Sequence, residues 1–158
     1  MVDIFSTIIA GRFDEYLSAI DGADVNVKND DGASLLHITI AYRRSDIAKD
    51  LLSRGVDINI KNREGMSPLI SAIISKQFDF AKTLIQKGAD INIRDQYGND
   101  ALWYAIGAPL LDYDLIRVIM DKGANPYEPN NVGRSAIDVA IQIGDPKLID
   151  FLRVATSN

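Results

Sequence analysis

His37 is the only histidine in the chain, and cysteine is absent. A zinc site needs three or four nitrogen, sulfur or carboxylate ligands, and a nucleophile–base pair needs a third group to orient it. A lone imidazole in a chain without thiols offers neither, so His37 reads as a structural residue. Asp112 and Asp114 are spaced like an acid–base pair or two calcium ligands. Calcium requires an alternating loop of oxygen donors, which "GAPLLDYDL" does not supply. Both therefore read as acids at a helix start, where the positive end of the dipole favours them. No glycine-rich phosphate loop is present. No catalytic residue, cofactor site or metal site emerges, and the chain is not expected to be an enzyme.

The elements that carry these residues recur. "GADVN" begins at Gly22, "GVDIN" at Gly55, "GADIN" at Gly88 and a degraded "GANPY" at Gly123, giving spacings of 33, 33 and 35 residues. A fixed period of this size marks a stacked repeat array. The clearest unit runs from Glu64 to Gln96. Ser67 is an N-cap, and Pro68 follows at the first helical position, where its missing N–H costs nothing. Leu69, Ala72 and Ile73 then fall on one helical face. Lys76 and Gln77 turn the chain, and Phe80, Ala81, Leu84 and Ile85 form the stripe of a second helix. Lys87 and Gly88 close it with a favourable charge and a left-handed cap. Ser34, Asp100 and Ser135 take the Ser67 position in the other copies, and Leu51/Leu52, Ile119/Met120 and Leu152 take the Leu84/Ile85 row. Asp24, Asp57 and Asp90 recur with the unit and so belong to its structure. After each glycine, Val25/Val27, Ile58/Ile60 and Ile91/Ile93 alternate with Asn26, Asn59 and Asn92 as a short extended arm would. Gly32, Gly65, Gly98 and Gly133 mark the turn that follows.

A pair of short helices cannot bury its apolar stripes alone, and stacking supplies the missing surface. The predicted fold is an all-α repeat solenoid of helix–turn–helix units joined by short β-hairpin-like turns. "GMSPLISA…TLIQKGADIN" and "GASLLHIT…DLLSRGVDIN" resemble the ankyrin repeat, whose pattern has a turn glycine, TPLH, a double-leucine row and a closing GADxN. "GNDALWYA" and "GRSAIDVA" are more distant copies. The resemblance spans the whole chain as one domain: an N-terminal capping repeat over 1–30, repeats over 31–63 and 64–96, a repeat with a two-residue insertion over 97–131, and a C-terminal capping repeat over 132–158. Residues 1–28 read as a shortened helical pair, and the final "RVATSN" reads as frayed and polar. Terminal repeats must turn an outer face to water, so the chain is expected to be a complete small protein. In the TPLH slot, His37 bonds within and between repeats, and Trp103 is expected to pack.

An apolar fraction of 47% with 25% charged residues is that of a globular chain. No apolar run approaches the roughly 18 residues of a membrane span, and no signal peptide is visible. A cytoplasmic location without membrane association is expected. The net charge is −5, which disfavours nucleic acid and favours a basic protein partner.

The resemblance implies that this partner is bound on the concave side, by hairpin tips and the exposed edge of each first helix. The tip residues are Asp30, Asp31, Arg63, Glu64, Met66, Gln96, Tyr97, Asn99 and Arg134. Tyr42, Ile74 and Ser75 lie on the helix edges. These residues vary between copies while the scaffold recurs. Tyr42, Arg63, Met66 and Tyr97 have the size and mixed polarity of interface anchors. The insertion adds Leu110 and Leu111, which either fold back or project, and Tyr113, which aligns with Phe78 and is expected in the core. The expected function is protein binding by a chain that is monomeric when free and acts by occupancy, masking or inhibiting its partner. Small acidic stand-alone proteins of this kind serve bacteria as immunity proteins against basic toxins. The alternative is an adaptor or scaffold subunit of a constitutive complex.

Overall fold

The computed structural model describes residues 3–154. Among the described residues ten α-helices follow in pairs: α1 (Ile4–Ala10) with α2 (Phe13–Ile20), α3 (Leu35–Ala41) with α4 (Ser45–Ser53), α5 (Pro68–Ile74) with α6 (Phe78–Gln86), α7 (Ala101–Gly107) with α8 (Tyr113–Asp121), and α9 (Ala136–Ile143) with α10 (Pro146–Val154). Within each pair the helices pack on each other, and the first helices α1, α3, α5, α7 and α9 pack in succession along the array. None of the described helices is long and apolar enough to cross a membrane. Of the "RVATSN" expected to fray, Arg153 and Val154 belong to α10; residues 155–158 lie outside the described residues.

The predicted caps hold the first helices. Ser34 Oγ accepts from His37 N, Ser67 Oγ from Ile70 N, and Asp100 Oδ1 from Trp103 N. The fourth copy inverts the arrangement, with Ser135 N and Oγ both donating to Asp138 Oδ2 at 2.8 and 2.6 Å. Those two bonds hold the Asp138 carboxyl below its usual value. The double-leucine row is fully buried at Leu51, Leu84 and Ile119, and Leu35, Leu69 and Leu102 meet it from the first helices. Burying such a side chain is worth about 1.5–3 kcal/mol, so each interface between repeats rests on a few of them.

Three expectations need correction. The segment after each glycine is a turn, not an extended arm. Asp24 Oδ1 accepts from Asn26 N, Asp57 Oδ1 from Asn59 N, and Asp90 Oδ1 from Asn92 N, each at 2.8–2.9 Å. This side-chain bond to a backbone N–H two residues on is the Asx-turn, and it explains why the aspartate recurs. The terminal pair is barely shortened: α1 matches α3 at seven residues, and only α2, at eight residues against nine in α4, is cut back. Tyr113 lies at the surface: it opens α8 as Phe78 opens the half-buried start of α6, but its hydroxyl donates to Asp145 Oδ2 of the next repeat.

Polar bonds run between repeats as well as within them. Asn26 Oδ1 accepts from Asp57 N at 2.7 Å, and Asn59 Oδ1 accepts from Asp90 N at 2.8 Å. Arg44 donates to the carbonyls of Ile8 and Ile9, and Gln77 Nε2 donates to Ile40 O, so the turn between the helices of one repeat caps the first helix of the repeat before it. Tyr16 is buried and donates to Asp50, which also accepts from Arg54. Burial alone would raise the Asp50 carboxyl, but these two bonds outweigh it and hold it down.

Candidate functional site

Each hairpin tip is built around one side chain. Asn29 Oδ1 accepts from the N–H groups of Asp31 and Ala33. Asn62 does the same for Glu64 and Met66, Asp95 for Tyr97 and Asn99, and Asn130 for Val132 and Arg134. These four residues were legible as a recurring position but were overlooked, because they fall between the glycine of the arm and the glycine of the turn. Neighbouring tips are also joined: Arg63 Nη2 donates to Asp30 O, Gln96 N to Glu64 O, and Asn131 N to Tyr97 O. The row of tips is therefore held in register before any partner arrives.

His37 sits where the first helix meets the tips. Its Nε2 lies 3.0 Å from the carbonyl of Met66 in the next repeat, and its Nδ1 lies 2.7 Å from Ser34 Oγ. A carbonyl only accepts, so Nε2 carries the proton and Nδ1 accepts from the serine. Burial pushes the imidazole below its ordinary pKa, against the bond to Met66. Asp112 caps α8 through Leu115 N at 2.8 Å. No group of three or more histidines and carboxylates that could hold a metal occurs among the described residues.

The first helices and tips enclose three adjoining hollows of about 300, 310 and 270 Å3. The first contains Glu64, Met66, Ile74 and Ser75 with Ile38. Ile74 is shared with the second, which adds Trp103 and Pro109. Trp103 is shared with the third, which adds Arg134, Val139 and Ile143. Ile74 is 47% exposed. Trp103 stands half-exposed under the Arg134 guanidinium, whose carbon is 5.7 Å from the ring centroid. Trp103 is thus a correction as well as a missed residue: its ring is a wall of the groove, not core filling. The signal was its size: the position that holds the buried His37 in the 31–63 repeat carries a larger indole here.

The other sequence-predicted residues are placed less uniformly. Tyr42 and Tyr97 are exposed but line none of the three hollows, and Asp30 and Asp31 are exposed at the first tip. Arg63 and Gln96 are exposed but tied to neighbouring tips, Arg63 through its own guanidinium and Gln96 through its carbonyl, which accepts from Asn131 Nδ2. Asn99 departs from the expected surface: it is buried, and its Oδ1 accepts from Asn130 Nδ2 at 2.8 Å. The insertion divides, with Leu111 packed against the core and Leu110 62% exposed.

The family model described as "Ankyrin repeats (3 copies)" matches residues 9–95, more than half of the chain. None of the curated proteins matches it.

Proposed function

Since this chain belongs to the ankyrin repeat family, and is on that ground a protein–protein interaction module, we propose that its partner is read along the groove from Met66 through Ile74 and Trp103 to Arg134. One observation carries this reading: two large, partly exposed side chains, Ile74 and Trp103, are each shared by adjacent hollows. Together they form a continuous apolar strip with a cation at one end. Aromatic and arginine side chains in such positions dominate binding energy, surrounded by contacts that mainly exclude water. The exposed Tyr42 and Tyr97 are assigned to the rim of the same contact surface.

The action proposed is occupancy: the chain masks its partner, as an inhibitor or an immunity protein against a basic toxin would, from a cytoplasmic and monomeric state. The net charge of −5 supports a basic partner. The test is affinity capture from native lysate with the wild type beside an Ile74→Ala/Trp103→Ala variant that keeps the wild-type melting temperature. A partner held by the wild type and lost by the variant, by a factor of at least ~30 in affinity, supports the groove. Equal capture by both proteins overturns it. Self-association of the purified chain would favour the adaptor reading over occupancy.

A further inference from the structure

The acidity of this molecule is confined to one end. Residues 1–33 hold seven acids and two bases, and the rest of the chain holds fifteen of each. Both bases of that first segment are committed: Arg12 pairs with Glu15 at 2.8 Å, and Lys28 Nζ donates to the carbonyl of Lys61 in the next repeat at 2.7 Å. The carboxylates around them are left in excess.

That excess surrounds a hollow. On the first repeat, away from the groove, a depression of about 780 Å3 has half-buried Ile4, Phe5 and Val27 in its wall, with exposed Asp3, Asp21 and Asp24 among the residues around them. Asp3 and Asp24 have local duties, Asp3 capping α1 and Asp24 closing the Asx-turn. Asp21 has none of that kind. It follows α2 directly, at the C-terminal end of the helix, where the dipole disfavours an anion. The equivalent positions after α4, α6 and α8 are Arg54, Lys87 and Lys122. Arg54 lies near enough to feel Asp21, yet gives its Nε to Asp50. One repeat out of four thus reverses the charge that its own helix favours, beside an apolar hollow.

We propose that this end is a second docking site, separate from the groove, which receives a protein segment carrying an apolar side chain between lysines or arginines. The apolar side chain enters the hollow against Ile4, Phe5 and Val27, and the flanking cations meet Asp21, Asp24 and Asp3. Membrane surfaces, being anionic, are repelled by the same carboxylates. The site supplies attraction and orientation for a basic partner, which the neutral remainder of the molecule does not.

The probe is a fluorescein-labelled peptide, Lys-Lys-Leu-Phe-Lys-Lys, with its Glu-for-Lys counterpart as the control. Binding is followed by anisotropy and mapped by amide chemical shifts. The lysine peptide is expected to bind the wild type and move the resonances of Ala19, Gly22 and Ala23. Affinity should fall at least ~10-fold in Asp21→Lys and a few-fold in Asp21→Asn, and hold in Ile74→Ala/Trp103→Ala. The lysine variant restores the residue type that the other repeats carry, so it should melt no lower than the wild type, and the asparagine variant serves if it does not. No binding by the wild type, equal binding by both Asp21 variants, equal binding of the glutamate peptide, or shifts confined to the groove would each overturn the site. Retained peptide binding by the groove variant separates this proposal from the preceding one.

Discussion

Asp100 carries the sharpest electrostatic contrast among the caps. It holds the position that Ser34, Ser67 and Ser135 hold elsewhere, and it accepts from Trp103 N. Burial raises its carboxyl above the usual value, against that bond and the attraction of Arg94. A carboxyl raised in the fold favours the folded state only while protonated, and that contribution is lost as pH rises through the folded value. Serine and aspartate are comparable N-caps, so Asp100→Ser should make the protein more stable than the wild type at pH 7, with the advantage shrinking toward pH 3. Urea midpoints at the two pH values check this, and a variant weaker at pH 7 would contradict it. Tyr104 shows burial acting on a phenol, with its hydroxyl on Asp95 and its pKa pushed up to about 12. These shifts could not be read in the sequence, because they depend on which repeat closes over which side chain.

At the scale of the element, the helices were legible and the arms were not. Leu69, Ala72 and Ile73 repeat at helical spacing behind Ser67 and Pro68, and the structure starts α5 at Pro68. Val25, Asn26 and Val27 alternate like a strand, but Asp24 captures the amide of Asn26 and folds them into a turn. Trp103 and Tyr113 were misplaced because each differs from the residue that holds its position in the other copies, the first by its size and the second by a hydroxyl that reaches Asp145. The tips make a testable distinction between two glycines with positive φ. A Cβ on Gly88 would meet nothing within 4 Å, whereas one on Gly98 would stand 2.5 Å from Asn131 Oδ1 and 2.9 Å from Asn131 N. Gly88→Ala should cost about 1–2 kcal/mol from the left-handed backbone alone. Gly98→Ala should cost roughly twice that, because the next tip must also move. Chemical denaturation of the two variants measures the difference, and equal losses would mean that contact between tips contributes little.

Across the whole molecule, stability is shared between neighbours. An inner repeat is buried from two sides and a terminal one from a single side, so opening should begin at the ends. Amide exchange is expected to be slowest in α5, α6 and α7 and faster in α1, α2 and α10. Uniform protection would show that the array unfolds as a single unit. The bonds that run from Asn26 to Asp57 and from Asn59 to Asp90 add a mechanical property to this picture. Each spans one interface between consecutive repeats, so a load applied at the two termini passes through these interfaces in series. The weakest one yields first, and the chain behind it pays out before the next is strained. Extension would then proceed as a staircase, an inner tread being a repeat of 33 or 35 residues that releases roughly 110 Å of chain, with the groove shortening from one end as the treads are lost.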